Sequence, residues 1–196
     1  IELKLKWAML IALGFISGSL MFCRIVPPLF KKYDVCEKSG DKNPGAGNVF
    51  TGCGWKIGTF CIVFELLKVD APVFLAVNWL GIDSWVFALV MLSPVVGHAI
   101  APMSGKRGGK CISVSFGVTA ALIPVSFIVA LLAGLYILLS TLIRITPIRV
   151  RSIVTFSAFG LLAAVICESR VLRWAGLGCL LISAVVVTKH LRRFCV

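Results

Sequence analysis

Apolar runs close to the length of a membrane helix alternate along the chain with short polar segments rich in lysine, arginine or glycine. A transmembrane helix needs about 20 mostly apolar residues, within a range of about 17–25. Residues 7–23 are uncharged and meet that length. Their position behind Lys4 and Lys6 also resembles a signal peptide, but no small-x-small cleavage site follows, so the run is read as a retained first helix. Residues 24–55 form the longest polar stretch, with a turn-rich centre at 39–48. A second span runs from near Lys56 to about Leu80, interrupted by Glu65, Lys68 and Asp70. A third covers 85–103, broken only by His98, and 104–110 is a short basic loop bearing glycines. Residues 111–143 carry no charge. As one helix they would extend roughly 50 Å, against a hydrocarbon core of about 30 Å, so two short helices turning near Ile123-Pro124 are predicted. Residues 152–167 and 174–188 complete the set. The pattern predicts an all-α fold: a polytopic membrane helix bundle of about seven spans, forming a single domain over 1–196.

Composition removes the alternatives. Hydrophobic residues make up 59% of the chain and charged residues 14%, and the mean hydropathy is +1.02. A soluble domain carries about 25% charged and about 45–50% apolar residues, and disorder requires low hydrophobicity. Twenty Lys and Arg against eight Asp and Glu give a net charge of +12. In a soluble protein that excess would suggest nucleic acid. Here the basic residues sit between apolar runs, where they set membrane orientation, and no nucleic-acid partner is expected. With seven spans, segments 24–56, 104–110, 144–151 and the tail fall on one side and hold most of the 20 basic residues. That bias places them in the cytoplasm, with the N-terminus outside and the C-terminus in the cytoplasm. Lys4 and Lys6 favour the reverse and are outnumbered.

The eight cysteines include no C-x-x-C pair, and the only histidines are His98 and His190. That is neither a zinc pattern nor a disulfide framework. The candidate chemistry lies in the polar clusters instead. In Gly108-Gly109-Lys110, glycine lets backbone amides approach an oxyanion and a lysine at a helix start adds charge to the dipole; Lys106 and Arg107 thicken the positive field. The plain alternative is a basic loop that only fixes topology. Asn43-Pro44-Gly45-Ala46-Gly47-Asn48 is either a tight turn or a second glycine-bearing wall of the same anion site. Glu65 and Lys68 share a helix face and can pair, as a structural ion pair or as functional groups within a span. His98 ends an apolar helix near the glycine loop as a brace or a base. Arg149 and Arg151 precede Ser152, which is either an N-cap or, with the guanidiniums, part of a phosphate grip.

This ordered set resembles the bacterial acyl-phosphate:glycerol-3-phosphate acyltransferase family, seven-span enzymes of the inner membrane. The resemblance is carried by Asn43 to Asn48, by Glu65-Leu66-Leu67-Lys68 followed by Pro72-Val73, by Gly97-His98 with Gly108-Gly109-Lys110 at the expected distance, and by Arg149-Val150-Arg151-Ser152. It spans nearly the whole chain. Departures are Asp41 where the family often has Ser, Thr51 in place of Arg, Cys111 in place of Gly, Ala101 in place of Pro, and a C-terminal motif reduced to His190.

The resemblance implies transfer of a fatty acyl group from acyl phosphate to the 1-hydroxyl of glycerol 3-phosphate, giving lysophosphatidic acid for phospholipid synthesis. It implies no metal or other cofactor. The expected partners are glycerol 3-phosphate, acyl phosphate and membrane lipids, with the active site facing the cytoplasm from the bacterial inner membrane. The residues expected to carry catalysis are His98, Lys110 and Ser152. Those expected to bind substrate are Asn43, Gly45, Asn48, Lys106, Arg107, Gly108, Gly109, Arg149, Arg151 and His190. The competing readings are a small membrane transporter, supported by the ionisable groups within the second span, and a catalytically weakened relative that acts as a membrane partner.

Overall fold

The computed structural model describes residues 1–31, 33–104, 108–169 and 172–191, and the regular elements among them are all helical. Helix α1 spans Glu2–Ser19 and α2 spans Phe22–Lys31, with a break at Leu20. The expected first span at 7–23 is therefore too short at both ends. Glu2 pairs with Lys6 one turn along at 2.5 Å, and the apolar residues from Phe22 onward, including Pro27 and Pro28, prolong helix into what reads as a polar loop. That stretch also holds α3 (Val35–Lys38), whose first amides Asp34 caps, and α4 (Ala46–Cys53). Charge density misled here, because a few lysines do not stop a short helix that buries Val26, Val35, Val49 and Cys53 in a small cluster of its own.

Gly54, at φ +85°, turns the chain between α4 and α5 (Trp55–Trp79). Helix α6 (Trp85–Ile100) starts on Ser84, whose hydroxyl accepts the Val86 amide, and ends on left-handed Ala101 just before Pro102. The uncharged run divides as its length requires, into α7 (Ile112–Ala120) and α8 (Ile128–Ile137), the latter continuing as a wider turn through Leu142. Helices α9 (Ile148–Ile166) and α10 (Arg173–Leu191) close the bundle.

The main core lies between α5, α6, α7, α9 and α10, around Phe87, Met91, Phe156, Phe159 and Ile182. Large apolar side chains also cover the outside, among them Phe127, Leu142, Leu161 and Val165. Such a coat suits lipid as solvent and would be a liability in water. Four helical stretches among the described residues are long and apolar enough to cross a membrane: Glu2–Lys31, Trp85–Ser104, Ile148–Ile166 and Arg173–Leu191.

Close helix approach fixes the geometry around the future site. A Cβ at Gly18 would overlap the Pro94 carbonyl, and one at Gly97 the Phe15 carbonyl, so α1 and α6 meet through small residues. The break between α1 and α2 leaves carbonyls without intrahelical donors. Lys68 of α5 donates to two of them, Gly18 and Leu20, and the Ser104 hydroxyl donates to Ser19 at 2.8 Å.

Candidate functional site

The end of α6, the start of α7, the end of α8, the start of α9 and the end of α10 share one end of the bundle. There, together with the loop before α4, they enclose a cavity of about 440 Å³. His98 comes from α6, Lys110 from the approach to α7, Tyr136 from α8, Arg151 from α9 and His190 from α10. Asp41, Asn43, Gly45 and Asn48 add polar wall, and Ile62 of α5 and Phe116 of α7 add apolar wall.

A hydrogen-bonded loop sets the mouth. Asp41 Oδ1 accepts the Asn43 amide at 3.2 Å and the Asn48 side-chain amide at 2.8 Å, while Asn48 also donates to the Asn43 carbonyl. The other oxygen of Asp41 accepts from Lys110 Nζ at 2.6 Å. Burial works to raise the Asp41 carboxyl, but the hydrogen bonds from Lys110 and Asn48 outweigh it and hold the group below its ordinary range.

Deeper in, the polar groups are set but unfinished. The guanidinium of Arg151 lies 5.6 Å from the centre of the Tyr136 ring, a cation–π distance. His190 Nδ1 stands 2.8 Å from the Val186 carbonyl, so that nitrogen carries the proton and Nε2 is left as an acceptor. Asn43 Oδ1, Arg151 Nε and His190 Nε2 are buried with no hydrogen-bond partner. Buried polar atoms are nearly always paired, so three orphans on residues that line one cavity make it the candidate place for a polar ligand.

The glycines before Lys110 are packed closely against the end of α6. A Cβ at Gly108 would overlap the carbonyls of Ala99 and His98, and one at Gly109 the His98 ring. The Gly109 amide donates to the His98 carbonyl at 3.1 Å. The pair thus packs the loop onto the end of α6 and delivers Lys110 to the cavity. The Gly109 amide is engaged by the His98 carbonyl. Beneath it, Glu65 Oε2 is 2.6 Å from Lys68 Nζ and 3.4 Å from His98 Nδ1.

The family model for glycerol-3-phosphate acyltransferase matches residues 8–194. The chain belongs to the glycerol-3-phosphate acyltransferase family. It is 33% identical to the glycerol-3-phosphate acyltransferase of Aquifex aeolicus over 120 residues, which are 61% of this chain and 62% of that protein. It is 34% identical to the one from Leptospira borgpetersenii serovar Hardjo-bovis over 62% of this chain and 56% of the relative. The matched stretch therefore spans about three fifths of the length of these curated relatives. Among solved structures, PlsY (YgiH), an integral membrane glycerol 3-phosphate acyltransferase, superposes with a TM-score of 0.79 at 25% identity, covering 94% of this chain and 88% of that one, in both its lysophosphatidic acid and glycerol 3-phosphate forms. With its apolar coat, this family member is an all-α integral membrane protein.

Of the residues singled out in the sequence, Asn43, Gly45, Asn48, His98, Lys110, Arg151 and His190 meet at the cavity. Lys106 and Arg107 lie outside the described residues. Ser152 and Arg149 do not reach the wall. The N-cap of α9 is Pro147, which puts Ser152 inside the helix, fully buried, with its hydroxyl donated to the Ile148 carbonyl at 3.0 Å. Arg149 instead reaches the Leu191 carbonyl at 2.8 Å and ties the end of α10 to the start of α9. Two site residues escaped the sequence reading. Asp41 stood only as a departure from the family pattern, although an Asp two residues before Asn43 has the spacing of an Asx turn. Tyr136 is the one tyrosine in the long uncharged run, and a polar-tipped aromatic there is a usable signal.

Proposed function

We propose that residues 1–196 act as one membrane-embedded unit that transfers a fatty acyl group from acyl phosphate to the 1-hydroxyl of glycerol 3-phosphate. The observation that carries this reading is the cavity itself. It gathers Lys110, Arg151, His98 and His190 at one end of an apolar bundle around a space of about 440 Å³, and three of its lining residues, Asn43, Arg151 and His190, carry buried polar atoms without partners. An acyl phosphate is already activated, so no covalent enzyme intermediate is required. Positioning and fixed positive charge supply most of the rate.

Lys110 and Arg151 hold the phosphate of glycerol 3-phosphate, and Asn43 and Asn48 shape its glycerol end. The 1-hydroxyl oxygen attacks the acyl carbonyl carbon. Its proton passes to a neutral imidazole, for which His190 Nε2 is the open acceptor, while His98 braces the loop. The carbon–oxygen bond to phosphate breaks, inorganic phosphate leaves, and the product is 1-acyl glycerol 3-phosphate. The acyl chain lies among the helices and arrives from the lipid.

For the topology, we propose seven crossings: α1 with α2, α5, α6, α7, α8, α9 and α10. The basic segments of the cavity end face the cytoplasm of a bacterial cell whose inner membrane holds the protein, and the N-terminus lies outside. A transporter would hold its site near the bilayer midplane, whereas these groups collect at helix ends. The test is acyl transfer from palmitoyl phosphate to glycerol 3-phosphate by purified protein. Activity that falls at least about tenfold in Lys110→Met supports the reading. Unchanged activity in that variant, or an inactive wild type, defeats it.

A further inference from the structure

Lys110 lines the cavity, and it already has an anion. Its Nζ donates to Asp41 Oδ2 at 2.6 Å, with the lysine side chain 21% exposed and the aspartate 45%. Asp41 lines the same cavity. Its two oxygens have separate duties: Oδ1 organises the loop through Asn43 and Asn48, and Oδ2 is turned to Lys110. Glu65 is the other carboxylate near, but it sits below the cavity against Lys68 and His98 and is not part of the wall. Among the described lining residues Asp41 is thus the one acidic side chain, placed on the cation a phosphate would seek.

We propose that Asp41 is a specificity-determining residue that competes with the acceptor's phosphate for Lys110. This rests on the reading of the cavity as a phosphate-acceptor site. A phosphate near neutral pH carries about −1.5 to −2 charges and three strong acceptor oxygens. To engage Lys110 it must displace Oδ2 or share the three-donor ammonium with it, and either way the carboxylate lies beside the phosphate as a like charge. Both effects weaken dianions most, so the site discriminates against a second negative charge on the acceptor. Arg151, whose Nε has no partner, gives the incoming phosphate a first foothold while the exchange takes place. A merely structural Asp41 would hold the loop through Oδ1 and leave anion affinity to the cations.

Asp41→Asn separates the two duties. The amide oxygen still accepts from Asn43 and Asn48, and the amide nitrogen cannot accept from Lys110. Binding of inorganic phosphate and of glycerol 3-phosphate to purified protein in detergent is measured by calorimetry, for wild type, Asp41→Asn, Lys110→Ala and the double variant. The expected result is that Asp41→Asn tightens both ligands by about three- to tenfold, the range of a partly exposed charge pair plus a removed repulsion. Lys110→Ala is expected to weaken binding in both backgrounds and by more in the Asp41→Asn background, where the ammonium is free of the carboxylate, a non-additivity that a structural role would not produce. Asp41→Ser carries the same expectation should the first variant not fold. Equal or weaker phosphate binding without the carboxylate, additive effects, or the failure of both variants to fold overturns the proposal. Acyl transfer is assayed separately: tighter phosphate binding in variants of an enzyme with no transferase activity would sink the proposed reaction and leave the competition standing.

Discussion

His98 Nδ1 stands 3.4 Å from Oε2 of Glu65, a carboxylate with no exposed surface. The contact joins the cavity to the fold's most buried charges. Glu65 Oε1 accepts the Cys23 amide at 3.3 Å, and Oε2 is 2.6 Å from Lys68, which in turn donates to the carbonyls at the break between α1 and α2. His98 answers on the other side: its carbonyl accepts the Gly109 amide and its ring packs beneath that residue. One carboxylate therefore holds the helix break on one flank and the platform of the Lys110 loop on the other. The sequence reading of Glu65 and Lys68 as a structural pair agrees with this geometry, but the third partner, 33 residues further along, has no local signal.

Removing Glu65 alone strands Lys68 as a buried charge. Breaking such a pair from one side costs about 3–5 kcal/mol, whereas replacing both partners with apolar residues of similar size is often close to neutral. Glu65→Leu is expected to lower the melting temperature in detergent sharply, and Glu65→Leu with Lys68→Met is expected to recover most of that loss. Equal losses in the single and double variants would contradict the account.

The two glycines before Lys110 differ in what a methyl group would meet. At Gly108 it would strike the backbone carbonyls of Ala99 and His98, which cannot yield, and at Gly109 it would strike the His98 ring, a side chain that can turn. Overpacking costs about 1–3 kcal/mol. Gly108→Ala is expected at the upper end, with acyl transfer reduced more than about tenfold by displacement of Lys110. Gly109→Ala is expected to fold more stably than Gly108→Ala and to lose activity through His98. Thermal melts beside initial rates on the two variants check the order.

Much of the bundle was legible because its signals are one-dimensional. The lengths of apolar runs located α5, α6, α9 and α10 to within a few residues, and an uncharged run too long for the bilayer had to fold back, as it does between Ala120 and Ile128. Helix hidden in basic sequence was missed at α2 and α4, where burial of Val26 and Val49 outweighs local charge. At the site, residue identity brought out some of the residues that line the cavity, but it missed Asp41 and Tyr136 and could not say what each hydrogen bond is for. The Gly109 amide and the Ser152 hydroxyl satisfy neighbouring backbone carbonyls, and Asp41 on Lys110 is a pairing across 69 positions of chain.

Arg149 and Arg151 are two residues apart, and so point to different sides of α9. Arg149 is an exposed tie to the Leu191 carbonyl. Arg151 lines the cavity above Tyr136. A hydrogen bond to a charged group contributes about 1.5–3 kcal/mol, so Arg151→Ala is expected to lower kcat/KM for glycerol 3-phosphate by about 10- to 100-fold. Arg149→Ala is expected to change it less than about threefold, since loss of an exposed contact rarely exceeds about 0.5 kcal/mol. Steady-state kinetics on both variants decide, and reversed effects would move the phosphate to the Arg149 side.

The tie between Asp41 and Lys110 carries a pH signature with a definite sign. Burial alone would raise the Asp41 carboxyl, and hydrogen bonds from Lys110 and Asn48 bring it below its ordinary range instead. The unfolded chain then binds the proton more readily than the folded one, so stability from this group rises with pH across the interval between the two values. It is fully present above the ordinary carboxylate value of about 4 and is lost as pH falls through the lowered folded value. His98, His190 and Arg151 share the cavity wall, and the histidines also change charge with pH, so the quantity to follow is the difference in melting temperature between wild type and Asp41→Asn. That difference is expected to stay level from about pH 7 to about 4.5 and to close below, as the wild-type carboxylate takes up its proton and releases Lys110. A difference that closes well above that range, near about pH 6, would break the assignment of the tie.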